Sequence, residues 1–183
     1  MITATRLFLT LLLAATAAVA TARVAAAGPA EPQAPAEIAV PDGNKLFLVG
    51  HAVGVQIYAC APAPTGFAWS LLGPRANLYD DHGNLVVTHF AGPSWQAKDG
   101  STVVGTVTGR APVDRTAIPW LRLETTPAPG SKPGRLARTT FIQRLATRGG
   151  LAPAPASCDA AAAGTTAEVP YTADYAFWKP SDS

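Results

Sequence analysis

Two hairpins are written out in full between Ala76 and Thr108, and they commit the chain to antiparallel sheet. In the first, Ala76-Asn77-Leu78-Tyr79 leads through the turn Asp80-Asp81-His82-Gly83-Asn84 into Leu85-Val86-Val87-Thr88-His89-Phe90. In the second, Ser94-Trp95-Gln96-Ala97 leads through Lys98-Asp99-Gly100-Ser101 into Thr102-Val103-Val104-Gly105-Thr106-Val107-Thr108. Asp and Gly supply the backbone conformations of the turns, and β-branched residues fill the returning strands.

The rest of the chain reads the same way. After the turn Pro41-Asp42-Gly43-Asn44, Lys45 to His51 is a strand, and Val53 to Cys60 sets Val53, Val55, Ile57 and Ala59 against Gly54, Gln56, Tyr58 and Cys60 with a period of two. Gly54 inside that run marks a bulge or a close backbone approach. Phe67 to Leu72 is an apolar run stopped by Gly73-Pro74. Ile118 to Thr125 alternates, with Pro119 placing its start at an edge or bulge, and Arg135 to Arg144 is strand-like up to a stop at Thr147-Arg148-Gly149-Gly150. Val169, Tyr171, Ala173, Tyr175 and Phe177 share one face of a closing strand. Ala160 to Thr166 is low-complexity and is expected to be mobile. Gly and Pro number 16 and 17 in 183 residues, and no long periodic apolar helix interrupts them. The fold expected is therefore all-β, an antiparallel sandwich or partly closed barrel of about eight to ten short strands. Any helix is limited to a single turn near Ala111 to Ala117 or Ala160.

The N-terminus sets the compartment. Arg6 precedes the apolar run Leu7 to Leu13 and an Ala/Val/Thr stretch that ends at Ala27, too short and Ala-diluted for a membrane span and suited to a secretory signal. Small residues recur at cleavage-compatible positions at Ala20, Ala22 and Ala27, and an uncleaved interfacial anchor is the alternative. The domain plan is a signal peptide over 1–27, a Pro/Ala-rich tether over 28–37, and a single β domain over 38–183, in a chain exported to a periplasm or the extracellular space. No transmembrane helix is expected in the mature chain. The formal charge of +2 loses Arg6 and Arg23 with the signal, which leaves a neutral mature protein and removes the electrostatic case for a nucleic-acid partner. In such a compartment the only two cysteines, Cys60 and Cys158, pair by default, closing a loop of ~100 residues worth ~4–5 kcal/mol. Two buried thiols or half of a metal site are the alternatives.

The motifs Tyr58-Ala59-Cys60, Ala76-Asn77-Leu78-Tyr79-Asp80, His89-Phe90-Ala91-Gly92-Pro93-Ser94-Trp95, Lys98-Asp99-Gly100-Ser101, Ile118-Pro119-Trp120-Leu121 and Ile142-Gln143-Arg144 resemble a secreted bacterial and fungal family catalogued only as a domain of unknown function. The resemblance runs from about Pro41 to Phe177. It implies an exported domain with both cysteines in place and no established activity. A malate dehydrogenase label carried by some fungal relatives finds no support here, since the chain has no Gly-x-Gly-x-x-Gly turn between a strand and a helix.

Chemistry is thinly written. His51 and His89, if they converged, could hold copper or zinc, but two His without a third ligand is a poor set, so no metal and no cofactor is assigned. Ser94, Ser101, Asp99 and His89 allow a hydrolase triad only on paper, because Asp99-Gly100-Ser101 is a hairpin turn and no Gly-x-Ser-x-Gly elbow exists. Four tryptophans suggest an aromatic platform, with Trp95 and Trp178 ahead of Trp69 and Trp120. The loop from His89 to Trp95 combines a strand-end His, a rigid Gly92-Pro93 turn and a large aromatic. The ligand-binding candidates are thus His89 and Trp95, with Gln143 and Arg144 as polar partners, and Trp95 is expected to tolerate truncation. The function expected is an exported non-catalytic binding or structural module for a small molecule or glycan. A small secreted enzyme or metal-binding protein using the His89 loop is the alternative.

Export is expected to leave a mature chain that starts between Thr21 and Gly28; N-terminal sequencing of exported protein checks this, and a retained Met1 refutes it.

Overall fold

A strand of 20 residues, β1 (Asn44–Ala63), is the spine of the molecule, and it absorbs both Lys45–His51 and Val53–Cys60. It is followed in antiparallel succession by β2 (Gly66–Tyr79), β3 (Leu85–Phe90), β4 (Ser94–Ala97), β5 (Thr102–Ala111), β6 (Trp120–Pro127), β7 (Phe141–Gly149) and β8 (Thr166–Pro180). Each strand pairs with its neighbours in sequence, and β8 pairs back onto β1 from Asn44↔Pro180 to Ala59↔Thr166, so the sheet closes into a barrel. Of the two all-β architectures expected, the barrel is therefore the one formed, fully closed rather than partly. The computed structural model describes residues 29–181; the signal peptide assigned to 1–27 lies outside the described residues.

Strict alternation decides what fills the barrel. Along β1 the inward set is Gly54, Gln56, Tyr58 and Cys60, while Val53 on the other face is 60% exposed. The small and polar half of the pattern thus faces the interior. Gly54 is required there, because a Cβ at that position would run into the backbone of Arg75 and Ala76 on β2. On β8 the inward face is Tyr171, Ala173, Tyr175 and Phe177, the stripe read from the sequence. Leu48, Leu78, Val87, Val103, Ile142 and Phe177 fill one half of the interior as an apolar core.

The end of the barrel beyond that core is plugged from the β6–β7 connection. Leu136 is fully buried there, and its backbone N–H donates to Ser101 Oγ at 3.0 Å. The Ser101 hydroxyl donates in turn to Asp99 Oδ1 at 2.6 Å, and Asp99 Oδ2 accepts the Arg135 N–H at 2.7 Å. Asp99 and Ser101 are thus tied up in a turn, as their sequence suggested. Strand structure begins only at Phe141, not at Arg135, because 135–140 turns inward to deliver Leu136. Ala160 to Thr166, expected to be mobile, is pinned by hydrogen bonds from Gly164 N–H to Cys60 O and from Cys60 N–H to Thr165 O.

Outside the wall, a single 3-10 turn at Ala36–Ile38 lies against β5 and β6. Ile38 completes a second apolar cluster with Leu46, Ala111, Leu145, Ala176 and Trp178. A second 3-10 turn, Pro155–Ser157, precedes Cys158. Single helical turns occur at these two places, and 111–117 has none. No helix among the described residues is long and apolar enough to cross a membrane.

Cys60 on β1 and Cys158 are bonded, with Cα atoms 5.4 Å apart and a sequence separation of 98. The bridge ties the 150–165 connection to the barrel wall. Thiol titration of denatured, unreduced protein is expected to find no free thiol; the Cys60→Ala/Cys158→Ala variant is expected to lose ~4–5 kcal/mol in urea denaturation, and an unchanged midpoint would remove that assignment of stability.

Candidate functional site

The opposite end of the barrel is not plugged. Three β-bulges break the strand register there, leaving Leu72 on β2, Thr108 on β5 and Ala146 with Thr147 on β7 out of pairing. Ala146 also holds φ at +48°, a left-handed conformation uncommon for a residue with a Cβ. Bulges bend a strand and re-aim its side chains, and at a barrel rim they open the mouth. Here they surround a cavity of about 270 Å³ that runs from the rim to the apolar core. Its outer part is apolar, with Leu71 and Leu72 each 55% exposed and Val107 beside them. Its inner part is polar and aromatic, made of Gln56, His89, Trp95, Arg144 and Tyr175.

His89 and Trp95 are direct cross-strand partners on β3 and β4. Their rings stack at 4.2 Å between centroids and 7° between planes, and Tyr175 meets both edge-on. Gly105 lets this stack form, since a Cβ there would press on the Trp95 ring. His89 Nδ1 is 2.9 Å from Ser94 O. A carbonyl can only accept, so Nδ1 carries the proton and Nε2 keeps its lone pair. Burial pushes the His89 pKa down to about 3, with the hydrogen bond to Ser94 O opposing and the Arg144 charge assisting. The ring is therefore neutral at ordinary pH.

Arg144 enters from β7, where its Nε and Nη2 donate to Pro119 O at 3.1 and 2.9 Å. Tyr175 and Tyr171 face each other through their hydroxyls at 3.3 Å, and Tyr58 OH donates to Gly150 O at 2.7 Å. Burial raises the phenol pKa of all three tyrosines, against the pull of the Arg144 charge. They stay protonated and cannot serve Arg144 as counter-ions. Two donors in this wall are unspent: Gln56 Nε2 and Trp95 Nε1 are buried without a hydrogen-bond partner. A buried polar group left unmade costs ~1–3 kcal/mol.

Of the residues read from the sequence, His89, Trp95 and Arg144 meet in this one cavity. Gln143 does not join them. Consecutive residues of a strand point to opposite faces, so Gln143 lies outside the wall, donating to Ile38 O at 2.8 Å and accepting from Trp178 Nε1 at 3.0 Å. Trp95 is not an exposed platform: it is 1% exposed, and removing such a ring costs ~3–5 kcal/mol, so the tolerance to truncation expected of it is corrected. Trp178 is likewise buried, while Trp69 and Trp120, ranked lower as platforms, are only half-buried. His51 faces outward, its Nδ1 2.7 Å from Asp174 Oδ1 and its Nε2 2.9 Å from Asp81 Oδ1. It does not converge with His89, and no group of three or more His, Cys, Asp or Glu side chains among the described residues is placed to hold a metal ion.

Gln56 and Arg110 of the cavity wall carried no signal of their own in the sequence, and Tyr175 was legible in the aromatic stripe of β8 but not as a site residue. Gln56 could have been found from its parity with Tyr58 and Cys60, once that face was known to be the inner one.

Over residues 41–179 the sequence matches the family described as a protein of unknown function, DUF3455. The chain belongs to that family. The match spans β1 and runs to Lys179 in β8, so every wall of the cavity is part of the DUF3455 domain. No curated protein and no solved structure matches the chain.

His89 links this site to stability. Its folded-state pKa lies below the ordinary value of 6.5, so below pH ~6.5 the unfolded chain takes up a proton that the folded chain refuses. Stability is fully present above pH ~6.5 and falls toward pH 3, on the order of 1 kcal/mol per pH unit. Urea midpoints measured between pH 7 and 4 are expected to drop less steeply for His89→Gln than for the parent; parallel curves would mean the ring is protonated in the fold.

Proposed function

We propose that this chain is an exported, non-catalytic binding module that holds a small molecule in the open mouth of its barrel. The observation that carries the reading is the cavity itself: an apolar rim of Leu71, Leu72 and Val107 leading down to a rigid floor of stacked His89 and Trp95. Binding sites favour this combination of apolar walls with a few fixed polar groups, and the mouths of barrels are a usual place for them. A volume of about 270 Å³ lies below the ~300–1,000 Å³ of drug-sized sites, which suits a small molecule. Burial of Trp95 argues against a glycan stacked on an exposed ring. The non-catalytic reading draws on the groups in the wall, since a His with a pKa of about 3 is a weak base and the neighbouring phenols hold their protons. Export is inferred from the N-terminal segment together with the disulfide.

The test uses 2-naphthylmethanol and 2-naphthoate as fluorescent probes. At least one is expected to bind saturably with a stoichiometry of one per chain, and the rim variant Leu71→Ser/Leu72→Ser to weaken that binding roughly tenfold at unchanged thermal stability. Failure of both probes to bind, or equal binding by the rim variant, would overturn the reading.

A further inference from the structure

The same cavity says what kind of head group it takes, an inference that rests on the binding reading above. Two donors in its polar depth are unspent. Gln56 is 2% and Trp95 1% exposed, and Gln56 Nε2 and Trp95 Nε1 are buried without hydrogen-bond partners although both side chains line the cavity. Native proteins rarely leave such atoms unmet, and each asks for an acceptor. Two guanidiniums line the same space, Arg110 at the rim and Arg144 within, and no Asp or Glu of the described residues lines it. Arg144 is partly buried and is fixed by Pro119 O, a neutral partner that leaves its charge uncompensated. The Tyr175 hydroxyl also lies against the guanidinium and, being neutral, likewise leaves the charge uncompensated.

We propose that the mouth of the barrel binds a small carboxylate, its oxygens seated on Arg144, Gln56 Nε2 and Trp95 Nε1 and its apolar remainder against Leu71, Leu72 and Val107. A carboxylate satisfies every feature at once. It supplies acceptors only, it neutralises the partly buried guanidinium, and its plane matches the fork of Arg144. His89 Nε2, which carries no proton, is an acceptor in the same floor and would take a hydrogen bond from a hydroxyl or amine of the ligand. The apolar rim explains why the site does not suit a bare inorganic anion, which would gain nothing from Leu71 and Leu72.

Affinities of 2-naphthoate and its near-isosteric neutral partner 2-naphthylmethanol, measured on the full disulfide-bonded domain, separate this inference from the reading beneath it. The carboxylate is expected to bind roughly tenfold or more tightly than the alcohol. Arg144→Met is expected to erase that ratio by lowering the carboxylate's affinity far more than the alcohol's. Because Arg144 also holds Pro119 O, Gln56→Leu serves as a second variant: it removes the buried Nε2 donor at similar volume, its fold is checked by thermal melting, and the preference for the carboxylate is expected to shrink roughly fivefold. Equal binding of the two probes by the parent, or an undiminished preference in Gln56→Leu, would overturn the carboxylate site while leaving the binding cavity in place. Failure of both probes to bind would overturn the two together.

Discussion

The pairing of β1 with β8 is the interaction on which the rest of the structure depends. It runs from Asn44↔Pro180 to Ala59↔Thr166 and joins the two ends of the described domain. An open sheet would leave both strands with a row of unpaired backbone groups; closure satisfies them and removes the edges. It also creates an inside. Once the ring is shut, each inward side chain has a fixed set of neighbours, and the alternation of every strand is converted into a choice between core and solvent.

That interior is divided along its axis. One half is apolar and is sealed by Leu136, whose loop is held by the Asp99 and Ser101 turn. Hydrogen bonds from the Ser101 hydroxyl, the Arg135 N–H and the Ser101 N–H lower the pKa of the exposed Asp99 to about 2, so the turn keeps its carboxylate acceptor across ordinary pH. The other half carries Gln56, His89, Arg144, Tyr171 and Tyr175 and stays open. Three bulges sit at the open end. The plugged half supplies the stability from which a strained Ala146, a buried neutral His and unspent donors can be tolerated.

Membership of the DUF3455 family places the whole cavity within the family's domain without assigning it an activity. The cavity's own chemistry is more informative than the fold, since an eight-stranded barrel hosts unrelated functions. Its stacked His89 and Trp95 are rigid, and a pre-formed site loses less entropy on binding than one that must order first.

Much of this was legible in the sequence. Both hairpins, the alternation of β1 and β8, the aromatic stripe from Tyr171 to Phe177 and the pairing of Cys60 with Cys158 follow from local turn chemistry, a period of two and the presence of only two cysteines. These are properties of neighbours along the chain. Tertiary structure alone decided which parity faces inward. The apolar Val53, Val55 and Ile57 look like a core face, yet Gln56, Tyr58 and Cys60 occupy the interior, because the partners across the barrel and not the strand itself determine which face is enclosed. The same reason separates Gln143 from Arg144 and buries Trp95, which as a lone aromatic near a Gly-Pro turn reads equally well as platform or core. Leu136 was read as part of a strand because its role as a plug exists only once there is an end of a barrel to fill.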